Sequence, residues 1–177
     1  MPVSVSVALF ILRLVGGLTL AAHGAQKLFG WFEGAGFTKM THSFHTQGLK
    51  PGWLWASLVI IGEFGGGLSL AFGFLTPLGA AGAIGAMVMA IVRAHWKNGF
   101  WNSKRGLEFP LSLATIGVAV GIAGPGAYSL DALFRITWPE ATVFLAFAVA
   151  AVIVDVIGLV ISRPPVSAPA AAPQRTA

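Results

Sequence analysis

The chain has 177 residues, of which 56% are hydrophobic and 10% are charged. Soluble domains carry roughly 25% charged residues, so this composition argues against a soluble protein and indicates a membrane protein. The chain contains no cysteine, which excludes disulfides, thiolate metal ligands and dithiol chemistry within it.

Five apolar segments follow one another along the chain, and each approaches the ~20 residues that a spanning helix needs. The first has no basic residue before Arg13, so we expect a retained helix rather than a signal peptide. The sequence therefore predicts an all-α fold, a polytopic membrane helical bundle. Its segments run about Val5–Phe29, Trp53–Gly73, Pro77–His95, Phe109–Gly124 and Ala141–Ile161.

The connections between these segments have distinct compositions. Residues 30–52 hold Phe37, Met40 and Phe44 at helical spacing, which predicts a short amphipathic helix on the membrane surface. Residues 96–108 form a basic, aromatic loop, and residues 124–131 ("GPGAYSLD") form a turn rich in glycine and proline. Residues 163–177, rich in Pro and Ala, predict a disordered tail.

The basic residues are distributed unequally between the two sides of the membrane. With five spans, one side receives nine of them and the other receives Arg135, with Arg13 inside the first helix. Basic residues favour the cytoplasmic side, which predicts an external N-terminus and a cytoplasmic C-terminus. The net charge of +5 therefore reflects membrane topology and contact with the lipid bilayer, and no nucleic-acid partner is expected. The nine are Lys27, Lys39, Lys50, Arg93, Lys97, Lys104, Arg105, Arg163 and Arg175.

Two charged residues lie inside the first two segments. Glu63 is near the middle of the second segment, and Arg13 lies one to two turns inside the first. Rows of small residues, among them Gly17, Gly62 and Gly66, predict that these helices pack closely as an antiparallel hairpin. We therefore expect an intramembrane ion pair between Arg13 and Glu63, since an unpaired charge there is costly. The pair has either a structural role or a role in proton or ligand binding.

A second polar group is predicted near the cytoplasmic side of the bundle. Four residues from three helices are candidates for ligand binding or proton relay, although interfacial capping would also explain them. His42 and His45 have metal-like spacing without an evident third ligand, so no metal site is expected. The four candidates are His23, Lys27, His95 and Glu108, with Gln26, Arg93 and Asp155 as secondary polar residues and an Arg93–Asp155 contact expected.

Several motifs occur in order along the chain: "LRLVGGLTLAAHGAQKLFG", "GEFGGGLSLAFGFLTPLGAAG", "AHWKNGFW", "GLEFPL" and "GPGAYSLDA". Together they resemble the DoxX family of small bacterial membrane proteins. The resemblance implies a four-helix core at residues 1–136, to which residues 137–162 add a fifth transmembrane helix and residues 163–177 a tail. It also implies a multi-pass protein of the bacterial inner membrane, associated with quinone-linked oxidoreductases or redox-stress systems.

Three classes of function follow from these features. The first is a membrane subunit of a redox complex that binds a quinone. No redox cofactor is encoded in the chain, so a soluble or membrane redox partner, or a bound flavin or quinone, would supply electrons. The second is a small-solute transporter, and the third is a scaffold that recruits soluble enzymes. We favour the first class, in which the chain is an oxidoreductase subunit rather than a catalyst by itself.

Overall fold

A computed structural model describes residues 1–162, which are helical apart from their connections and contain no strand. The predicted tail at residues 163–177 lies outside the described residues. The helices are α1 (Val3–Leu28), α2 (Gly36–Thr46), α3 (Gly52–Phe72), α4 (Thr76–Asn98), α5 (Glu108–Ala123), α6 (Leu130–Leu133) and α7 (Glu140–Ile161).

Four of these helices are long and apolar enough to cross a membrane, namely α1, α3, α4 and α7. The predicted helical membrane bundle is therefore confirmed. Helix α5 is also apolar but has only 16 residues. At 1.5 Å per residue it is about 24 Å long, which is shorter than the ~30 Å hydrocarbon core of a bilayer.

Helices α1 and α3 pack closely because glycines face each other at their crossing. A Cβ atom on Gly17 would lie 2.6 Å from the carbonyl oxygen of Gly67, and one on Gly67 would lie 2.7 Å from that of Gly17. Neither position tolerates a side chain without moving backbone. The predicted antiparallel hairpin of the first two long helices is confirmed, and these glycines set the register between them.

Helix α4 is the central element, with α3, α5 and α7 packed around it. Small residues let its neighbours approach, and Ala80 and Ala83 are completely buried. Helix α1 completes the bundle against α3 and α5. Every long helix thus has one face in the bundle, while apolar side chains cover the outer surface.

Helix α2 packs against the first half of α3. Its Phe44 is buried and Met40 packs against the core, whereas Phe37 is exposed. Leu49, just beyond the helix, is completely buried. The predicted amphipathic helix is present, and its apolar side contacts the bundle.

Two of the long helices contain a π-helical turn. One spans Ile61–Gly65 in α3, and the other spans Ile91–His95 in α4. Such turns insert an extra residue into an α-helix and occur frequently at functional sites. Here they carry Glu63 and His95, two of the polar residues that the sequence singles out.

Candidate functional site

The partner of Glu63 is Lys27. The Lys27 Nζ atom donates a hydrogen bond to Glu63 Oε1, and the side chains are 25% and 1% exposed, respectively. The second oxygen of Glu63, Oε2, is buried and has no hydrogen-bond partner among the described residues. This is the only ion pair within residues 1–162. One acceptor of a buried carboxylate therefore remains available.

The positions of the two residues explain their pairing. Lys27 lies in the last turn of α1, where a cation interacts favourably with the helix dipole. Glu63 lies in the π-helical turn of α3. It is roughly 15 Å from either end of that helix at 1.5 Å per residue. The flexible lysine side chain thus extends beside the carboxylate from the end of the neighbouring helix.

Arg13 forms a different set of contacts. Its guanidinium donates from Nε to the carbonyl oxygen of Pro125 at 3.1 Å, from Nη1 to that of Ala71 at 2.6 Å, and from Nη2 to that of Tyr128. Only 1% of the residue is exposed. Arg13 therefore links α1, the end of α3 and the connection between α5 and α6, and its donors are used for structure.

The predicted Arg13–Glu63 ion pair was wrong, and the helix register explains the error. A Cβ on Gly73, in the turn after α3, would lie 2.9 Å from Arg13 Nη1. Arg13 is thus level with the end of α3 rather than with its middle. Lys27 lies fourteen residues further along α1, about 21 Å at 1.5 Å per residue. That shift places the lysine, rather than the arginine, beside Glu63.

A cavity of about 320 Å³ adjoins the ion pair. It extends from Glu63, midway along α3, to Asn102 and Arg105 in the connection between α4 and α5. Charged and ring side chains from several helices therefore share one space with apolar walls. The polar lining includes His23, Lys27, Glu63 and His95, and the apolar lining includes Met87, Phe109 and Leu113.

The two histidines are held in different ways. The ring of His23 packs against Phe109, with 5.0 Å between the ring centroids. His95 Nδ1 lies 2.7 Å from the carbonyl oxygen of Arg105. A carbonyl only accepts, so Nδ1 carries the hydrogen and Nε2 of a neutral His95 is an acceptor. His95 can therefore accept a proton at Nε2.

A second cavity of about 260 Å³ shares Lys27 and His95 with the first. It continues toward α2, where Ser43, Phe44 and Gln47 line it. Lys27 and His95 thus lie between two adjoining spaces. A path for protons or small polar molecules would pass these two side chains.

Glu108 does not line either cavity. Its Oε2 accepts a hydrogen bond of 2.8 Å from the backbone N–H of Asn102. Asn102 lines the first cavity, so Glu108 holds the connecting segment in place. Of the four predicted candidates, His23, Lys27 and His95 come together, and the carboxylate that joins them is Glu63.

The secondary polar residues are dispersed. Gln26 Nε2 donates to the carbonyl oxygen of Phe32 at 3.3 Å, and Arg93 Nη2 donates to Ser162 Oγ at 2.6 Å. Asp155 is 7% exposed, and its Oδ2 has no partner among the described residues. The expected Arg93–Asp155 contact does not form, because the guanidinium turns toward the end of α7.

The sequence did not predict that Glu63 lines the polar cavity. The glycine rows carried a partial signal, since alignment of Gly17 with Gly67 in an antiparallel pair places Glu63 level with Ala21, nearer to Lys27 than to Arg13. No sequence feature predicts the π-helical turns at Glu63 and His95, because neither stretch contains a proline or a continuous run of polar residues.

Comparisons with known proteins give one family match and one relative. The DoxX family model matches residues 8–96, from α1 to the π-helical turn of α4. The chain is 34% identical to inner membrane protein YqjF of Escherichia coli (strain K12) over 111 residues, which is 62% of this chain and 82% of that protein. No solved structure matches the chain. The family match includes Lys27, Glu63 and His95 and ends before Glu108.

Proposed function

The chain belongs to the DoxX family of membrane proteins, and on that premise we propose that it is the membrane subunit of a quinone-linked redox complex. In this proposal the cavity beside Lys27 and Glu63 holds the quinone head group. One observation carries the proposal: a buried ion pair, with a free carboxylate oxygen, adjoins an apolar-walled cavity between helices. Ionisable groups inside a membrane bundle are costly and are typical of proton and ligand pathways.

The lining of the cavity suits a quinone head group. Such a group is a flat apolar ring whose two carbonyl oxygens accept hydrogen bonds. Lys27 and His23 supply donors, while Phe109 and Leu113 supply apolar contacts for the ring. The isoprenoid chain of the quinone would leave the bundle between helices into the lipid.

The same residues can supply protons. Reduction of a quinone to a quinol takes two electrons and two protons, and the electrons come from a soluble or membrane redox partner. The Lys27 ammonium and a protonated His23 can donate protons to the reduced oxygens. Glu63 and His95 then restore those protons from the side of Asn102 and Arg105. This chain therefore handles protons and positions the quinone.

The proposed orientation follows from the basic residues. Of the basic residues within residues 1–162, seven fall on the side of the α4–α5 connection, which we place in the cytoplasm of the bacterial inner membrane. The N-terminus is then external and the C-terminus cytoplasmic. In this orientation the cavity is supplied with protons from the cytoplasm, and an electron-donating partner docks on the cytoplasmic face.

Photolabelling with an azidoquinone tests the proposal. Purified protein in lipid nanodiscs is illuminated with the probe, and labelled peptides are identified by mass spectrometry. We expect label on peptides that contain Lys27 or Phe109, and competition by unlabelled decylubiquinone. Phe109→Ala should reduce the labelling several-fold, since it removes an apolar contact with the ring.

Leu111→Ala is the matched control, because Leu111 is two residues away on α5 and exposed on the outer surface. It should leave the labelling unchanged. Equal labelling of both variants, or label confined to the outer surface, would overturn the quinone site. A scaffold or transport role for the chain would then be favoured.

A further inference from the structure

A separate cavity of about 200 Å³ lies among α3, α4 and α7. Its walls are formed by apolar side chains and by small residues such as Gly62, Gly82 and Gly85. Two polar residues, Trp55 and Asp155, also line it. An engineered cavity of roughly 150 Å³ with apolar walls can hold a benzene molecule. This cavity therefore has room for a molecule with one ring.

Both polar residues carry a buried atom that lacks a partner. Trp55 is 5% exposed and its Nε1 has no acceptor among the described residues, while Asp155 is 7% exposed and its Oδ2 has no donor. Buried polar atoms are nearly always hydrogen-bonded, and each unpaired one costs roughly 1–3 kcal/mol. A bound polar group could satisfy both atoms.

Both residues line the cavity from different helices. Oδ2 of Asp155 points across it toward α4, because a Cβ on Gly85 would lie 3.9 Å from that oxygen. The Trp55 ring is wedged against Gly158, three residues after Asp155 on α7, where no Cβ would fit. The indole and the carboxyl group thus approach from facing helices.

We propose that this cavity binds a small molecule with an apolar ring and one hydroxyl group. The hydroxyl oxygen accepts a hydrogen bond from Trp55 Nε1, and the hydroxyl hydrogen is donated to Asp155. If Asp155 is protonated, the hydroxyl oxygen accepts from it instead, so a hydroxyl group suits both protonation states. Phenols and the hydroxyl end of a quinol share this chemistry.

The other charged groups nearby do not complete the site. The first basic residue of α4 is Arg93, and its Nη2 donates to Ser162 Oγ, which lies just beyond the end of α7. The Lys27–Glu63 cavity is lined by a different set of residues. The proposed hydroxyl site therefore does not depend on the quinone proposal, and either can fail without the other.

Fluorine NMR on protein labelled with 5-fluorotryptophan tests the site. The chain has six tryptophans, and the Trp55 resonance is identified by its loss in Trp55→Phe. Titration with 4-methylphenol should shift this resonance to saturation. Its methyl ether, 4-methylanisole, has the same ring but cannot donate, so it should bind roughly tenfold more weakly. Asp155→Leu should weaken the phenol by a similar factor.

Two glycine variants keep the test decisive if Asp155→Leu does not fold. Gly85→Ala places a methyl group in the cavity, 3.0 Å from the Ala151 Cβ, and should abolish the saturable shift. Gly65→Ala is the matched control, since its nearest neighbour would be Ile61 Cγ2 at 4.0 Å, and it should bind normally. Equal binding of phenol and ether, or a non-saturable shift in all variants, would show partition into lipid only and would overturn the proposal.

Discussion

The two ends of α1 hold cations in contrasting environments. Arg13, near one end, donates to backbone carbonyl oxygens of the end of α3 and of the α5–α6 connection. Lys27, at the other end, pairs with a carboxylate whose second oxygen is unpartnered, beside a cavity. The guanidinium of Arg13 directs most of its N–H donors to fixed carbonyls, which gives it a structural role. An ion pair with a spare acceptor can bind a ligand.

The environment of each cation follows from what surrounds it in the fold. At the Arg13 end, Asp131 accepts from the backbone N–H groups of Leu75 and Thr76 at 2.8 and 3.0 Å and from Thr76 Oγ1 at 2.8 Å. These bonds satisfy the start of α4. The polar groups at that end are therefore satisfied within the protein, whereas at the Lys27 end a carboxylate oxygen lacks a partner beside a cavity.

The largest expected effect comes from removing the hydrogen bonds that Arg13 donates to backbone carbonyl oxygens. Arg13→Met leaves several buried carbonyl oxygens without a donor, so we expect the free energy of unfolding to fall by about 4 kcal/mol. The measurement is denaturant unfolding in detergent micelles. Arg135→Met, at an exposed arginine, is the control and should change stability by less than about 0.5 kcal/mol. Equal effects of the two variants would contradict the structural role of Arg13.

The next effect concerns the ion pair. Lys27→Met leaves the Glu63 carboxylate buried and unpaired, and should cost about 3 kcal/mol, the lower end for a buried pair, because a quarter of the lysine side chain is exposed. Adding Glu63→Leu should recover much of that loss. A double-mutant cycle measures the coupling between the residues.

The same cycle distinguishes the two cations. The coupling energy between Glu63 and Lys27 should be more than about 1 kcal/mol. The coupling energy between Glu63 and Arg13 should be close to zero, because Arg13 is level with the end of α3 rather than with Glu63. Strong coupling between Arg13 and Glu63 would contradict the observed register of the helices.

A smaller effect is expected from the register itself. Gly67→Ala places a Cβ against the backbone of α1, 2.5 Å from the Ala21 nitrogen, and should cost about 2 kcal/mol by forcing the helices apart. It should also lower azidoquinone labelling, since Lys27 would no longer be held beside Glu63. Gly65→Ala, which meets no backbone of another helix, should leave both stability and labelling unchanged.

The smallest effect is expected at Glu108. Glu108→Gln keeps an oxygen that can accept from the Asn102 N–H, so stability should change by less than about 0.5 kcal/mol. Azidoquinone labelling should stay within about twofold of the unmodified protein, because Glu108 does not line the cavity. A large loss of labelling with intact stability would give Glu108 a direct role in the site.

Much of the architecture could be predicted from residue pattern. The five apolar segments match α1, α3, α4, α5 and α7 within about three residues at each end. Hydrophobic length and glycine spacing act locally along the chain, so the sequence carries them directly. The gathering of His23, Lys27 and His95 was also predictable, since the alternation of spans puts these helix ends on one side.

The choice of partner for Glu63 depended on the tertiary structure. Residue numbers place Arg13 and Glu63 within reach only if both helices are centred in the membrane. Helix α1 is instead 26 residues long, and its glycine contacts with α3 shift it along its axis. The pairing of a buried charge depends on such offsets, because an ion pair forms only when its charged atoms lie within about 4 Å of each other.

The sequence by itself determined the membrane class, the number of apolar helices, the close α1–α3 contact and the candidate polar residues. These properties follow from composition and from periodicity within single segments. The tertiary structure alone decided that Lys27 pairs with Glu63, that Arg13 binds backbone carbonyls, and that Trp55 and Asp155 meet at one cavity. Contacts between distant segments depend on helix register, crossing and rotation, which arise from the packing of all helices together.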